Sequence, residues 1–125
     1  MPYSCRIDAA RRLVICVGEG VLTQQDVFAE QPRVQASPDF DPSFDQLIDL
    51  SGTAELDFTY ASMSDVATTT VFNPGIRRAI VAQTPIQYGI ARMFQALSER
   101  NNDAVAIFRD VVDAEAWLAS GAPQR

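Results

Sequence analysis

"LIDLSGTAELDFTY", residues 47–60, changes character halfway along. Its first half belongs to an apolar run, Phe44 to Leu50, that predicts a buried strand closed by Ser51-Gly52. Beyond it, residues 61–72 predict a helix. A strand that passes through a short connection into a helix is half of a βα unit, and repeated βα units call for a parallel sheet. Ser51, Glu55, Asp57, Thr59 and Tyr60 crowd the junction. Two readings stand for that cluster: a phosphate acceptor on a switch, or a polar loop with a helix cap.

The same grammar extends outward in both directions. Upstream, Tyr3, Cys5 and Ile7 alternate with Ser4, Arg6 and Asp8, the period of a half-buried edge strand. Leu13 to Val17 is apolar on both faces, as an inner strand is, and Gly18 and Gly20 close it. The two strands are near enough in sequence to form an antiparallel hairpin. Thr23 with Asp26 predicts a capped helix start, and Pro32 predicts a kink or stop near residue 31. The stretch 36–42, ASPDFDP, is a loop.

Downstream, NPG at 73–75 ends the second helix, and Arg77 to Gln83 holds a fourth strand. Thr84-Pro85-Ile86-Gln87 starts a helix with a cap, a proline at the first position and a reciprocal Gln. Ile86, Ile90, Met93, Phe94 and Leu97 continue it as one apolar stripe. Ala104 to Phe108 is a fifth strand, Asp110 with Asp113 caps a last helix, and the tail at 121–125 is expected to fray. The predicted order is β-β-α-β-α-β-α-β-α: one α/β domain over 1–125, with a mixed, mostly parallel five-stranded sheet and an antiparallel edge.

Composition excludes several functions. The chain carries 16 acidic against 10 basic residues, and every basic one is an arginine. A net charge of −6 with only short Arg pairs argues against nucleic-acid binding, which wants a basic stripe. No apolar run approaches the roughly 20 residues of a membrane helix, and the N-terminus does not read as a signal peptide. The expectation is a cytoplasmic protein with no membrane insertion. There Cys5 and Cys16 stay reduced, as small core residues of adjacent strands. With no His, the common zinc sites and Ser-His or Cys-His nucleophile systems are absent. With no Lys, the receiver-domain site is absent too, and Gly18-Glu19-Gly20 lacks the third glycine of a dinucleotide loop. Asp49, Asp57 and Asp110 are the acid–base candidates, with no sign that any two converge. No cofactor is expected, and an enzyme ranks below a binding module.

Element order, LIDLSGTAELDFT at 47–59, RRAIVAQTPIQYGIARMFQAL at 77–97 and VAIFRDVVDAEAWL at 105–118 together resemble the SpoIIAA-like (STAS-like) superfamily, within it the small stand-alone bacterial proteins. Members similar to anti-sigma-factor antagonists carry Asp-Ser-Ser/Thr-Gly before the helix that follows the third strand, and a partner kinase phosphorylates the second hydroxyl. The resemblance implies Asp57-Phe58-Thr59-Tyr60 as the matching positions and Thr59 as phosphoacceptor. Phe58 stands where the family has Ser, and Tyr60 where it has Gly. The architecture also resembles CRAL-TRIO domains, which bind apolar ligands beside the sheet.

The leading expectation is therefore a non-catalytic regulatory domain that binds another protein; a homodimer is compatible with so small a domain but is not read from its sequence. The candidate surface is the loops at 51–62 and 83–88, with Ser51, Asp57, Thr59, Tyr60, Ser62, Thr84, Tyr88 and Arg92. Tyr88 and Arg92 lie one turn apart on a shared face. Asp49, at the carboxyl end of its strand, either faces a ligand crevice or, the favoured reading, points outward or accepts hydrogen bonds from a neighbouring loop in a purely architectural role. The alternative is a binder of a small apolar ligand or lipid between sheet and helices, with Tyr60, Phe72, Tyr88, Met93 and Phe94 as candidate lining.

Overall fold

The computed structural model describes residues 2–120, so the expected fraying of 121–125 lies outside the described residues. Five strands and four helices alternate: β1 (Tyr3–Asp8), β2 (Leu13–Thr23), α1 (Gln24–Ala36), β3 (Asp45–Asp57), α2 (Tyr60–Thr68), β4 (Arg77–Val81), α3 (Pro85–Ser98), β5 (Ala104–Phe108) and α4 (Val111–Ser120). A 3₁₀ turn, Glu99–Asn101, follows α3. The sheet runs β1-β2-β3-β4-β5, with β1 antiparallel to β2 and every other pair parallel. The predicted α/β architecture and element order both hold.

Strand order equals chain order, so all three crossovers step the same way. Right-handed crossovers then put α1, α2 and α3 on one face of the sheet. Val14, Cys16, Leu50 and Ile80 point to that face, under Val34, Met63 and Phe94 from the three helices. Alternate residues Leu13, Ile15, Leu47, Ala79 and Val81 point the other way and meet Ala114 of α4.

Two strands run much farther than their sequence suggests. β2 continues to Thr23 and β3 to Asp57, pairing through Leu22↔Leu56 and Thr23↔Asp57. The register shifts between Val17 and Glu19, where Gly18 is left unpaired, and again between Gly20 and Val21, where Ala54 of β3 is, so the two glycines sit at irregularities of a continuing strand rather than at its end. Gly20 has φ of 62°, open to glycine. A Cβ on Gly18 would sit 3.1 Å from both the Leu22 and Thr53 side chains, so these side chains pack closely over the irregularity. Residues 51–57 are therefore strand, not loop.

Other boundaries move for identifiable reasons. α2 starts one residue earlier than predicted and ends at Thr68, because three consecutive threonines (Thr68 to Thr70) favour leaving the helix. β4 stops at Val81, before Gln83. Pro32 lies inside α1, which runs four residues beyond it without stopping. Ile86, predicted to head the buried stripe of α3, is 68% exposed, and Gln87 occupies the inward position.

Candidate functional site

The strand-to-helix junction dissolves as a single site. Ser51 and Thr59 are eight residues apart along mostly extended chain, on the order of 20 Å. Ser51 donates its backbone N–H (2.9 Å) and hydroxyl (2.6 Å) to Asp49 Oδ1. Asp49 shares parity with Leu47, on the α4 face, and its carboxylate is held by this local turn. The strand order has no reversal, so no switch-point crevice forms at the end of β3.

Thr59 is the N-cap of α2. Its hydroxyl accepts the Ser62 N–H at 3.0 Å, and Ser62 Oγ accepts the Thr59 N–H at 2.8 Å. Ser62 is thus the third helical residue, completing a capping box. Asp57 and Tyr60, the latter 60% exposed, flank this cap at the surface.

Thr84 builds the same box with Gln87 at the start of α3. Gln87 is buried and does more: its Nε2 donates to Thr53 O at 3.1 Å and Thr53 Oγ1 at 3.2 Å. Of the segments 51–62 and 83–88, expected to lie side by side, it is Gln87 that joins the two, through Thr53 and, at 3.5 Å, the Ser51 carbonyl. Tyr88 is 51% exposed and Arg92, one turn on, is exposed too.

A cavity of about 90 Å³ opens between the sheet and α1–α3. Val14, Ile48 and Leu50 form its floor, Met63, Ile90 and Phe94 its helical walls, and Leu22, Leu56 and Phe58 of the long ribbon close one end. Its lining reaches the surface at Gln31 and Thr70. Phe72 and Phe94 line it as the alternative reading expected. Tyr60, Tyr88 and Met93 do not.

A polar wall crosses this otherwise apolar space. Arg78, 4% exposed, sends Nε to Asp103 Oδ2 at 3.2 Å and Nη2 to Thr70 Oγ1 at 3.2 Å, and Nη1 donates to Gln46 Oε1. Its guanidinium lies 5.0 Å from the Phe72 ring centroid and 5.6 Å from that of Phe94, a cation held between aromatic faces. Asp103 also accepts the Gly75 N–H at 2.9 Å, so the buried pair is well supported. Glu30, buried on α1, accepts the Cys5 N–H at 2.8 Å and Arg33 Nη1 at 2.7 Å. Burial pushes the Tyr3 hydroxyl well above the ordinary tyrosine range, Arg78 opposing and Glu30 adding to the shift. Tyr3 is thus a neutral phenol at pH 7.

Cys5 and Cys16, expected as reduced core thiols, are disulfide-bonded and line the same cavity. They lie directly opposite in the antiparallel β1–β2 pair, which brings their Cα atoms to 4.0 Å. Spacing in sequence did not reveal this, because register across a hairpin decides which cysteines meet. Tyr3, Glu30, Gln46 and Arg78 were missed as well. The signal was parity: Gln46 alternates in step with Ile48 and Leu50, and Arg78 with Ile80.

Among the described residues no group of three or more His, Cys, Asp or Glu is placed to hold a metal ion. No helix there is long and apolar enough to cross a membrane.

No family model matches the chain, and no curated protein does. Among solved structures it is similar to an uncharacterized protein from Shewanella loihica, of the DUF3478 family and with a SpoIIAA-like fold. The two share 20% identity over 93% of each chain with a TM-score of 0.63. The chain has a SpoIIAA-like fold.

Proposed function

We propose that this chain is a non-catalytic binding module whose cavity takes up a small apolar molecule between the sheet and α1–α3. The observation that carries this reading is the cavity itself, lined largely by aliphatic and aromatic side chains of the core. Close packing is the rule in protein interiors, so retained apolar space is unusual. Its volume of about 90 Å³ is of the same order as a ~150 Å³ apolar cavity that takes up benzene. A molecule of one ring fits that space better than a long lipid chain. Titrating toluene while following the backbone amide resonances tests it. Shifts that saturate and cluster at Val14, Ile48 and Phe94 are expected; no saturable shift up to the solubility of toluene would sink the reading.

A second reading keeps protein binding at the helix starts, with Thr59 as a phosphate-controlled switch and a partner or homodimer on that surface. Supporting it are the surface position of Thr59 and the exposure of Tyr60, Ile86 and Tyr88, large apolar side chains at the starts of α2 and α3. Native mass spectrometry on protein gently isolated from its own host separates the two. A phosphate mapped to Thr59, or a retained protein, favours the switch; a retained small molecule favours the cavity.

A further inference from the structure

The cavity's polar wall narrows what it accepts. We propose that it is built for a neutral one-ring molecule bearing a single hydroxyl or carbonyl, with that group hydrogen-bonded to the Tyr3 hydroxyl. The inference rests on the reading of the cavity as a binding site. Tyr3 is 6% exposed and lines the cavity, with Arg78 and Glu30 as its charged neighbours. Among the described residues no hydrogen bond engages its hydroxyl, which is not one of the fully enclosed unpartnered atoms and so stays in contact with accessible space along the cavity lining. A hydroxyl open to a mostly apolar cavity is free to bond a polar atom of whatever enters it. The other polar groups of the wall are engaged: Arg78 with Asp103, Gln46 and Thr70, and Glu30 with Arg33 and the Cys5 N–H.

Charge decides the rest. Arg78 and Asp103 neutralise each other, and Glu30 is matched by Arg33. No unmatched charge of the wall waits for a ligand ion. Bringing a carboxylate or an ammonium into this apolar space would bury a charge with nothing to pair it. A neutral phenol or cyclic ketone, by contrast, offers apolar surface to Phe72 and Phe94 and one polar atom to Tyr3.

Phenol, toluene and benzoate are the probes, each titrated at pH 7 by calorimetry and amide shifts into the wild type and Tyr3→Phe. Losing one neutral hydrogen bond should weaken phenol about five-fold in Tyr3→Phe. Toluene should change by less than about two-fold, and benzoate should bind the wild type at least about ten-fold more weakly than phenol. Equal changes for phenol and toluene would overturn the role of Tyr3 while leaving the cavity reading intact. Benzoate binding tighter than phenol would overturn the neutral head group. Failure of all three to bind would overturn the cavity reading itself. Should Tyr3→Phe not fold, the Tyr3 ring resonances of the wild type decide. Phenol should move them more than toluene does, and equal movement counts against the proposal.

Discussion

Under α4, Leu13, Ile15, Leu47, Ala79 and Val81 meet Ala114 in a dry apolar cluster, with Phe108 and Trp117 packed at its margin. Under α1–α3, the same strands present Gln46, Arg78 and a disulfide beside a cavity. Arg77 and Arg78 make the contrast sharp, because adjacent residues of one strand serve opposite faces. Arg77 reaches out to the Trp117 and Leu118 carbonyls near the end of α4, with its guanidinium 4.3 Å from the Trp117 ring centroid. That is a cation at a helix C-terminus, where the dipole favours it. Arg78 is instead sealed in with Asp103. One face is built to be stable and closed. The other gives core volume to polar groups and space.

The largest expected break in this contrast is at Asp103. Asp103→Asn keeps an acceptor for the Gly75 N–H but leaves Arg78 charged and unmatched. The loss should be about 4 kcal/mol in urea unfolding, within the range for removing one member of a buried pair. Arg77→Met, one residue along the strand from Arg78, should lose only about 1 kcal/mol. Equal losses would mean that the Arg78 wall is hydrated and the two faces do not differ as described.

Next comes the cysteine pair, which closes a sequence separation of 11 residues. By the loop-entropy relation it should contribute about 3 kcal/mol. Adding a reductant should therefore lower the urea midpoint of the wild type and leave that of a Cys5→Ala, Cys16→Ala variant unmoved. A wild type indifferent to reductant would return the cysteines to the free thiols that a cytoplasmic setting implies.

The cavity itself is probed by making the same substitution on both faces. Ala114 is fully buried against the dry cluster, so Ala114→Leu overpacks it and should destabilise by about 2 kcal/mol. Ala91 is equally buried but lines the cavity. Ala91→Leu has space to fill and should be neutral or stabilise by about 1 kcal/mol while abolishing toluene binding. Thermal unfolding and the toluene titration read both effects. Equal destabilisation at the two positions would close the cavity as a real feature.

Much of the fold is legible in the sequence alone. Short loops between alternating strands and helices made the sheet parallel, and Thr84-Pro85-Ile86-Gln87 read correctly as a helix start because its capping chemistry is local. What escaped depends on distant pairing. Gly18, Gly20 and Gly52 look like strand ends in one dimension, yet they lie at register shifts within a parallel pair that continues past them. That error shortened β3, turned residues 51–57 into a loop and assembled a polar cluster that the extended chain pulls apart. The candidate cavity was visible only through Phe72 and Phe94. Its polar members sit in strands that look like ordinary amphipathic segments until crossover direction assigns each face to its helices.

The smallest effect separates the two helix starts. Thr59→Ala should lose about 1 kcal/mol by removing the N-cap of α2. Thr59→Asp should not, because aspartate caps as well and its charge suits a helix N-terminus. If Thr59 is only a cap, Asp restores stability and toluene binds both variants as it binds the wild type. If Thr59 is a switch, Asp mimics the modified state and changes the retained partner or the dimer fraction in native mass spectra, while its stability matches the wild type. Gln87→Ala is the companion at α3, since Gln87 ties its box to Thr53 on the long ribbon. Losing it should loosen the ribbon that closes the cavity and weaken toluene, which Thr59→Ala should leave alone. A stability loss shared by Thr59→Ala and Gln87→Ala, with a ligand effect confined to Gln87→Ala, places function in the cavity and leaves the α2 cap with a purely architectural role.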